Sequence, residues 1–261
     1  MNSPKNLPLS NKITRELVQR GEALLSEPKK PCDFKTGNPA AERLLNDLDI
    51  HPHAFVFACI MDRQIKAERA WLIPQNLKER LGSFEFKVLA SLTKKEILKA
   101  MRKPEPLHRF NKVMAGCLFS AIQNIQHLYG GVASRIWDGR PSSALIVLRF
   151  LEFDGVGPKI ATMATNILVR RFKVPVSDKY SIDVSPDVQV RRVFTRLGLT
   201  RSHATNDELM YTARAMHPEY PGIFDFSAWE IGRNWCRPKI PDCGSCYMAK
   251  LCPSVSMRET R

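Results

Sequence analysis

Four cysteines stand within CRPKIPDCGSCYMAKLC, residues 236–252, spaced C-x6-C-x2-C-x5-C. The chain has seven cysteines, so most of its thiols are gathered in one short stretch. Four thiolates this close together form a metal-ligand set, and spacing alone leaves zinc and an iron–sulfur cluster both open. A second reactive candidate is Lys159, at the end of FDGVGPK (153–159). Pro158 suits a first helical position, which places Lys159 in the first turn of a helix. There the positive end of the helix dipole disfavours an ammonium and so favours the free amine a nucleophile needs. The plainer reading makes Lys159 one more phosphate contact. A third candidate is Asp187, which precedes VQVRRVF and reads first as an N-cap. A nucleophilic lysine also needs a carboxylate to manage protons or steady a cationic sugar. Asp178 and Asp183 compete with Asp187 for that role.

The elements that must position these residues are helical. In KIATMATNILVRR (159–171), Ile160, Met163, Ala164, Ile167 and Leu168 recur on one face, followed by a basic end. From Val188, residues Val190, Val193, Phe194 and Leu197 keep the same rhythm, with Gln189, Arg191, Arg192 and Arg196 on the polar side. Gly155 and Gly157 allow a tight reversal between SSALIVLRFLE and the 159 helix. Gly155, Val156 and Gly157 thus form a helix–hairpin–helix turn whose amides suit a DNA phosphate. Upstream, helical patches fall near 12–25, 40–48, 53–70, 74–81, 95–102, 109–128 and 142–152. Strand-like alternation is scarce, and no repeat is evident.

Composition narrows the partners. Forty Lys and Arg against 26 Asp and Glu give a net charge of +14. From 159 to 196, eight basic residues less three aspartates leave +5. Such concentrated positive charge points to nucleic acid ahead of an anionic membrane. The longest apolar run, AFVFACIM (54–61), is too short for a membrane span. The N-terminal stretch lacks the apolar core of a secretory signal, so a cytoplasmic or nucleoid-associated protein with reduced thiols is expected. Cys59 and Cys117 read as core, and Cys32 lies in a Pro/Lys-rich linker. HPH at 51–53 reads as a helix entrance, and Trp71, Trp137 and Trp229 as packing residues.

Three stretches together resemble the endonuclease III family of helix–hairpin–helix DNA glycosylases. GVGPKIA (155–161) is similar to the hairpin with its catalytic lysine, and PDVQVRRVFTRLGL (186–199) to the segment that opens on the catalytic aspartate. IGRNWC (231–236) with the cysteines that follow is similar to the family's 4Fe–4S loop. The resemblance implies Lys159 and Asp187 as catalytic residues and Cys236, Cys243, Cys246 and Cys252 as cluster ligands. It implies an all-α fold of two lobes flanking a DNA-binding cleft. One lobe is a six-helix barrel with the hairpin, over 50–172. The other combines 1–49 with 173–261 and carries the 4Fe–4S loop at 236–252. The implied activity is base excision from double-stranded DNA by a monomer, with β-elimination through a lysine Schiff base, as in DNA repair. Gln64 and Leu107 are candidates to fill the gap left by a flipped base. Arg237, Lys239 and Lys250 decorate the loop, where they would meet phosphate.

Two departures bear on the site. Lys159 and Asp187 are 28 positions apart, more than the family usually allows, so 177–186 reads as an insertion. Asp178 fits the usual separation better, but only Asp187 is followed by the V-x-V-R-R-V-F helix. Gln189 stands where many relatives have histidine. The alternatives are a monofunctional glycosylase for a mismatched or hypermodified base, in which Lys159 only holds phosphate, and a non-catalytic Fe–S DNA-binding protein.

Overall fold

The computed structural model describes residues 7–255, and every regular element among them is helical. The helix α1 spans Leu7–Ser26. A central unit, Lys29–Ser177, then separates α1 from the remainder of its own unit, which resumes at Asp178.

In the central unit, α2 (Pro39–Asn46) and α3 (Pro52–Met61) are followed by α4 (Ala67–Leu81), α5 (Phe86–Ala90) and α6 (Lys94–Arg102). The long α7 (Asn111–Leu128), a 3₁₀ turn at Ala133–Ile136, α8 (Ser143–Leu151) and α9 (Pro158–Arg170) complete it. All ten residues of α3 are buried, which fits a helix that is apolar all round. It packs against α2, α4, α7 and α9 and forms the axis of the core. Each large side chain so buried contributes about 1.5–3 kcal/mol. Phe34 reaches this core from the linker and meets the Trp71 ring at 4.9 Å.

The pattern predicts one helix over 53–70, yet the chain turns at Asp62–Lys66. The Arg63 amide bonds back to the Met61 carbonyl at 2.7 Å, and Gln64 takes a φ of 55°. The reason lies in the burial of α3: continuing it would drive Arg63 and Lys66 along a fully apolar axis. Pro74 does not open a helix. It lies inside α4, which runs on to a left-handed cap at Gly82.

The terminal unit adds α10 (Val188–Arg196), α11 (Asn206–Met216) and α12 (Ile223–Asn234) to α1. α12 packs on both α1 and α10. The buried residues Ile13, Leu17, Val190, Val193, Phe194, Leu209 and Phe224 belong to this unit. α11 opens on a capping box between Thr205 and Glu208. The segment before α10 is anchored in the same unit. Ile182 and Val184 are buried, the Gly222 amide donates to the Ile182 carbonyl at 2.7 Å, and the Ser185 amide donates to Asp225 Oδ1 at 2.8 Å. Among the described residues, no helix is long and apolar enough to cross a membrane.

Candidate active site and cysteine loop

In the central unit the hairpin sits between α8 and α9. Gly155 has a φ of 85°, and a Cβ built there would come within 3.0 Å of Cys117 Sγ, so the turn requires glycine. The Val156 amide closes the turn on the Phe153 carbonyl at 3.0 Å, and Val156 packs against the core. Gly157 is the N-cap of α9 and Pro158 its first residue. Among the described residues no acceptor takes the Gly155 or Gly157 amide. Their donors and the helix dipole together form a place for an anion.

Lys159 follows with its side chain 43% exposed and Nζ 3.5 Å from Asp62 Oδ2. Asp62 lies at the C-terminal end of α3 and is only 8% exposed. The sequence carries one signal for it, its place as the first charged residue after an eight-residue apolar run. Gln64, two residues on, is exposed, whereas Leu107 is 5% exposed and belongs to the core.

In the terminal unit Asp187 is the N-cap of α10, and its Oδ1 accepts the amides of Gln189 and Val190, each at 2.8 Å. Asp183 is held in a bidentate pair with Arg214, and Asp178 Oδ1 accepts the Tyr180 amide at 3.3 Å. The α10 arginines turn inward. Arg191 donates to the Ala204 carbonyl and to Asn206. Arg192 donates to the Cys236 carbonyl at 2.6 Å, to the Gly232 carbonyl at 3.0 Å, and to Gln189 Oε1. Arg196 reaches the Arg237 and Pro238 carbonyls at 2.7 and 2.8 Å and Cys236 Sγ at 3.3 Å. The side chains of Arg237, Lys239 and Lys250 stay exposed.

Cys236, Cys243, Cys246 and Cys252 are free thiols that line one small pocket, about 30 Å³, together with Val193, Leu197, Ile231 and Met248 among others. Among the described residues, no three Cys, His, Asp or Glu side chains converge on a point that would hold a single metal ion. Four thiolates are a ligand set that either one zinc or a 4Fe–4S cluster accepts. The loop is braced from α10: Cys252 Sγ donates to the Arg196 carbonyl at 3.4 Å and Ser254 Oγ to the same oxygen at 2.8 Å.

Neither a protein-family model nor a curated protein sequence matches the chain. Solved structures do. A non-covalent endonuclease III–DNA complex aligns at a TM-score of 0.62 with 18% identity, covering 97% of this chain and 99% of that one. A trapped endonuclease III–DNA covalent intermediate aligns at 0.58 with 16% identity, covering 99% and 100%. The chain has the endonuclease III fold. A thermostable thymine-DNA glycosylase shares that fold at a TM-score of 0.61 and 17% identity, covering 95% and 98%. In this chain the endonuclease III fold places the hairpin and Lys159 in one unit, and Asp187 with the cysteine loop in the other.

Proposed function

We propose that this protein is a DNA glycosylase with an associated lyase step, acting on a damaged or modified base in double-stranded DNA. The observation that carries the reading is the hairpin. Two glycine amides that no acceptor takes among the described residues directly precede a partly exposed lysine in the first turn of α9, on a chain with the endonuclease III fold.

The anomeric carbon of a stacked nucleotide is inaccessible, so the nucleotide must leave the duplex to react. The hairpin amides would hold a backbone phosphate without reading bases. Gln64, on the exposed turn after α3, would enter the vacated space; Leu107 would support that turn from the core. Lys159 Nζ would form a bond to C1′ as the bond from C1′ to the base nitrogen breaks, its electron pair leaving with the base. Loss of a proton from the nitrogen and opening of the sugar give a Schiff base. Its iminium acidifies the neighbouring C2′, which loses a proton, and the 3′ phosphate leaves. Asp187 would face the developing positive charge of the sugar or take the amine's proton.

Cys236, Cys243, Cys246 and Cys252 would hold a 4Fe–4S cluster. When bound it ties four points of the loop together, a structural contribution, because base excision involves no electron transfer. Arg237, Lys239 and Lys250 then stand on a fixed scaffold from which to meet phosphate.

The test is incubation with duplexes that each carry one damaged, mismatched or hypermodified base. The reading expects base release, strand nicking and a borohydride-trapped adduct, with the adduct lost in Lys159→Ala. Base release without an adduct would indicate a monofunctional glycosylase. Binding alone would indicate a non-catalytic protein.

A further inference from the structure

We infer that Asp62 is a positioning residue for the Lys159 amine, a second carboxylate of the site supplied from the same unit as the lysine. The inference rests on the reading of Lys159 as a nucleophile.

Asp62 is placed by the turn that ends α3. Its amide returns to the Cys59 carbonyl at 3.1 Å, and the Arg63 amide bonds to the Met61 carbonyl at 2.7 Å. Gln64 then takes a left-handed backbone and points into solvent, while Asp62 stays almost entirely buried. An ionised carboxylate at that depth ordinarily collects several donors, because water no longer solvates it. Asp183 shows the usual solution, with two short bonds from Arg214 at 2.6 and 2.7 Å. Asp62 has no such set. Among the described residues its carboxylate has one side-chain partner, Lys159 Nζ, at the long distance of 3.5 Å. A buried acid satisfied this loosely adds little to the packing of α3 on α9. Its position does something else: it gives the nitrogen of a partly exposed lysine, in the first turn after the hairpin, one preferred place.

The chemistry is consistent with a constant partner. Lys159 first gives up one proton to expose its lone pair, and the free amine then adds to the C1′ aldehyde of an abasic sugar, so that nitrogen bonds to C1′. The aldehyde oxygen leaves as water, carrying in balance that proton and a second from the nitrogen. The iminium keeps the third proton and the single positive charge. A cation therefore faces Asp62 before and after the step, and the same carboxylate serves both states without itself being consumed or protonated overall.

The test is single-turnover borohydride trapping on a duplex with one abasic site, with duplex affinity and thermal unfolding measured in parallel. A small misplacement of a reacting atom lowers rate strongly. Asp62→Asn is therefore expected to slow trapping by about tenfold or more, with affinity changed less than about twofold. Asp62→Glu should recover part of the rate, and Asp62→Ser replaces Asp62→Asn if the latter does not fold. A trapping rate equal to wild type in Asp62→Asn overturns the inference, as does a loss explained wholly by weaker binding. If the wild-type protein forms no adduct, the nucleophile reading fails, and the pairing is decided without DNA. Acetylation of Lys159, followed by mass spectrometry against the other lysines, should then differ between wild type and Asp62→Asn. Identical labelling would overturn it.

Discussion

Asp183 accepts two hydrogen bonds from Arg214, at 2.6 and 2.7 Å, with its own side chain 9% exposed. This pair fastens the residues before α10 to α11, so the stretch that lengthens the separation of Lys159 and Asp187 is packed into its unit. It also gives Asp183 a structural occupation. Removing one partner of a buried pair leaves the other charge uncompensated. Arg214 is partly exposed, which moderates the loss. Arg214→Ala should therefore lower stability by about 2 kcal/mol, read in urea unfolding. Asp183→Asn should also destabilise, but any adduct-forming activity at matched folded fraction should persist.

A substitution at Asp187 separates its capping of α10 from the chemical role proposed for it. Asparagine caps helices about as well as aspartate, so Asp187→Asn should keep the amide bonds of Gln189 and Val190 and unfold within about 0.5 kcal/mol of wild type. Base release should nevertheless fall by roughly 10²-fold or more, as expected when a charged catalytic group is lost. Asp178→Asn measured beside it should be nearly unaffected. An unimpaired Asp187→Asn protein would remove Asp187 from the mechanism.

The cysteine loop predicts a coloured protein. Anaerobically purified material should contain about four iron and four sulfide per chain. A colourless protein with one zinc would contradict the cluster assignment. Arg196→Ala removes the bonds to the Arg237 and Pro238 carbonyls and to Cys236 Sγ. It should speed the loss of visible absorbance on exposure to a chelator.

His53 makes the central unit sensitive to acid. Burial holds its imidazole down to about 4 from 6.5, opposed in part by the Nε2–H bond to the Phe84 carbonyl at 2.8 Å. Between those values the unfolded chain binds the proton and the folded chain does not. Stability thus falls as pH drops from about 6.5 towards 4 and is unaffected by this group above that window. Urea unfolding should show a loss of about 2 kcal/mol between pH 7.5 and pH 5. His53→Gln should flatten that dependence while lowering stability at neutral pH.

The sequence was most informative where local rules and packing agree. Pro158 and Asp187 mark the starts of α9 and α10, and Ile160, Ala164, Leu168, Val190, Val193 and Phe194 are buried as their spacing implies. The TNDE capping box of α11 follows the same local rule. Other features depend on tertiary surroundings. Periodicity runs through the break at Asp62–Lys66, because only the burial of α3 on every side makes continuation costly. The polar side of α10 looks like a basic surface, yet Arg191, Arg192 and Arg196 spend their donors on carbonyls of their own unit. Charge patterning counts guanidiniums without showing what they face. Asp62 is marked in the sequence only by its place after the apolar run 54–61, which does not tell a carboxylate turned inward from one turned to water.

The proposed chemistry turns on a bond between Lys159 Nζ and the sugar. The most direct measurement is peptide mapping of the borohydride-reduced protein–DNA adduct by mass spectrometry, after nuclease trimming of the DNA. The peptide containing Lys159 should carry a reduced sugar remnant, and Lys159→Ala should form no adduct. A remnant located on another lysine, or an undiminished adduct in Lys159→Ala, would contradict that chemistry.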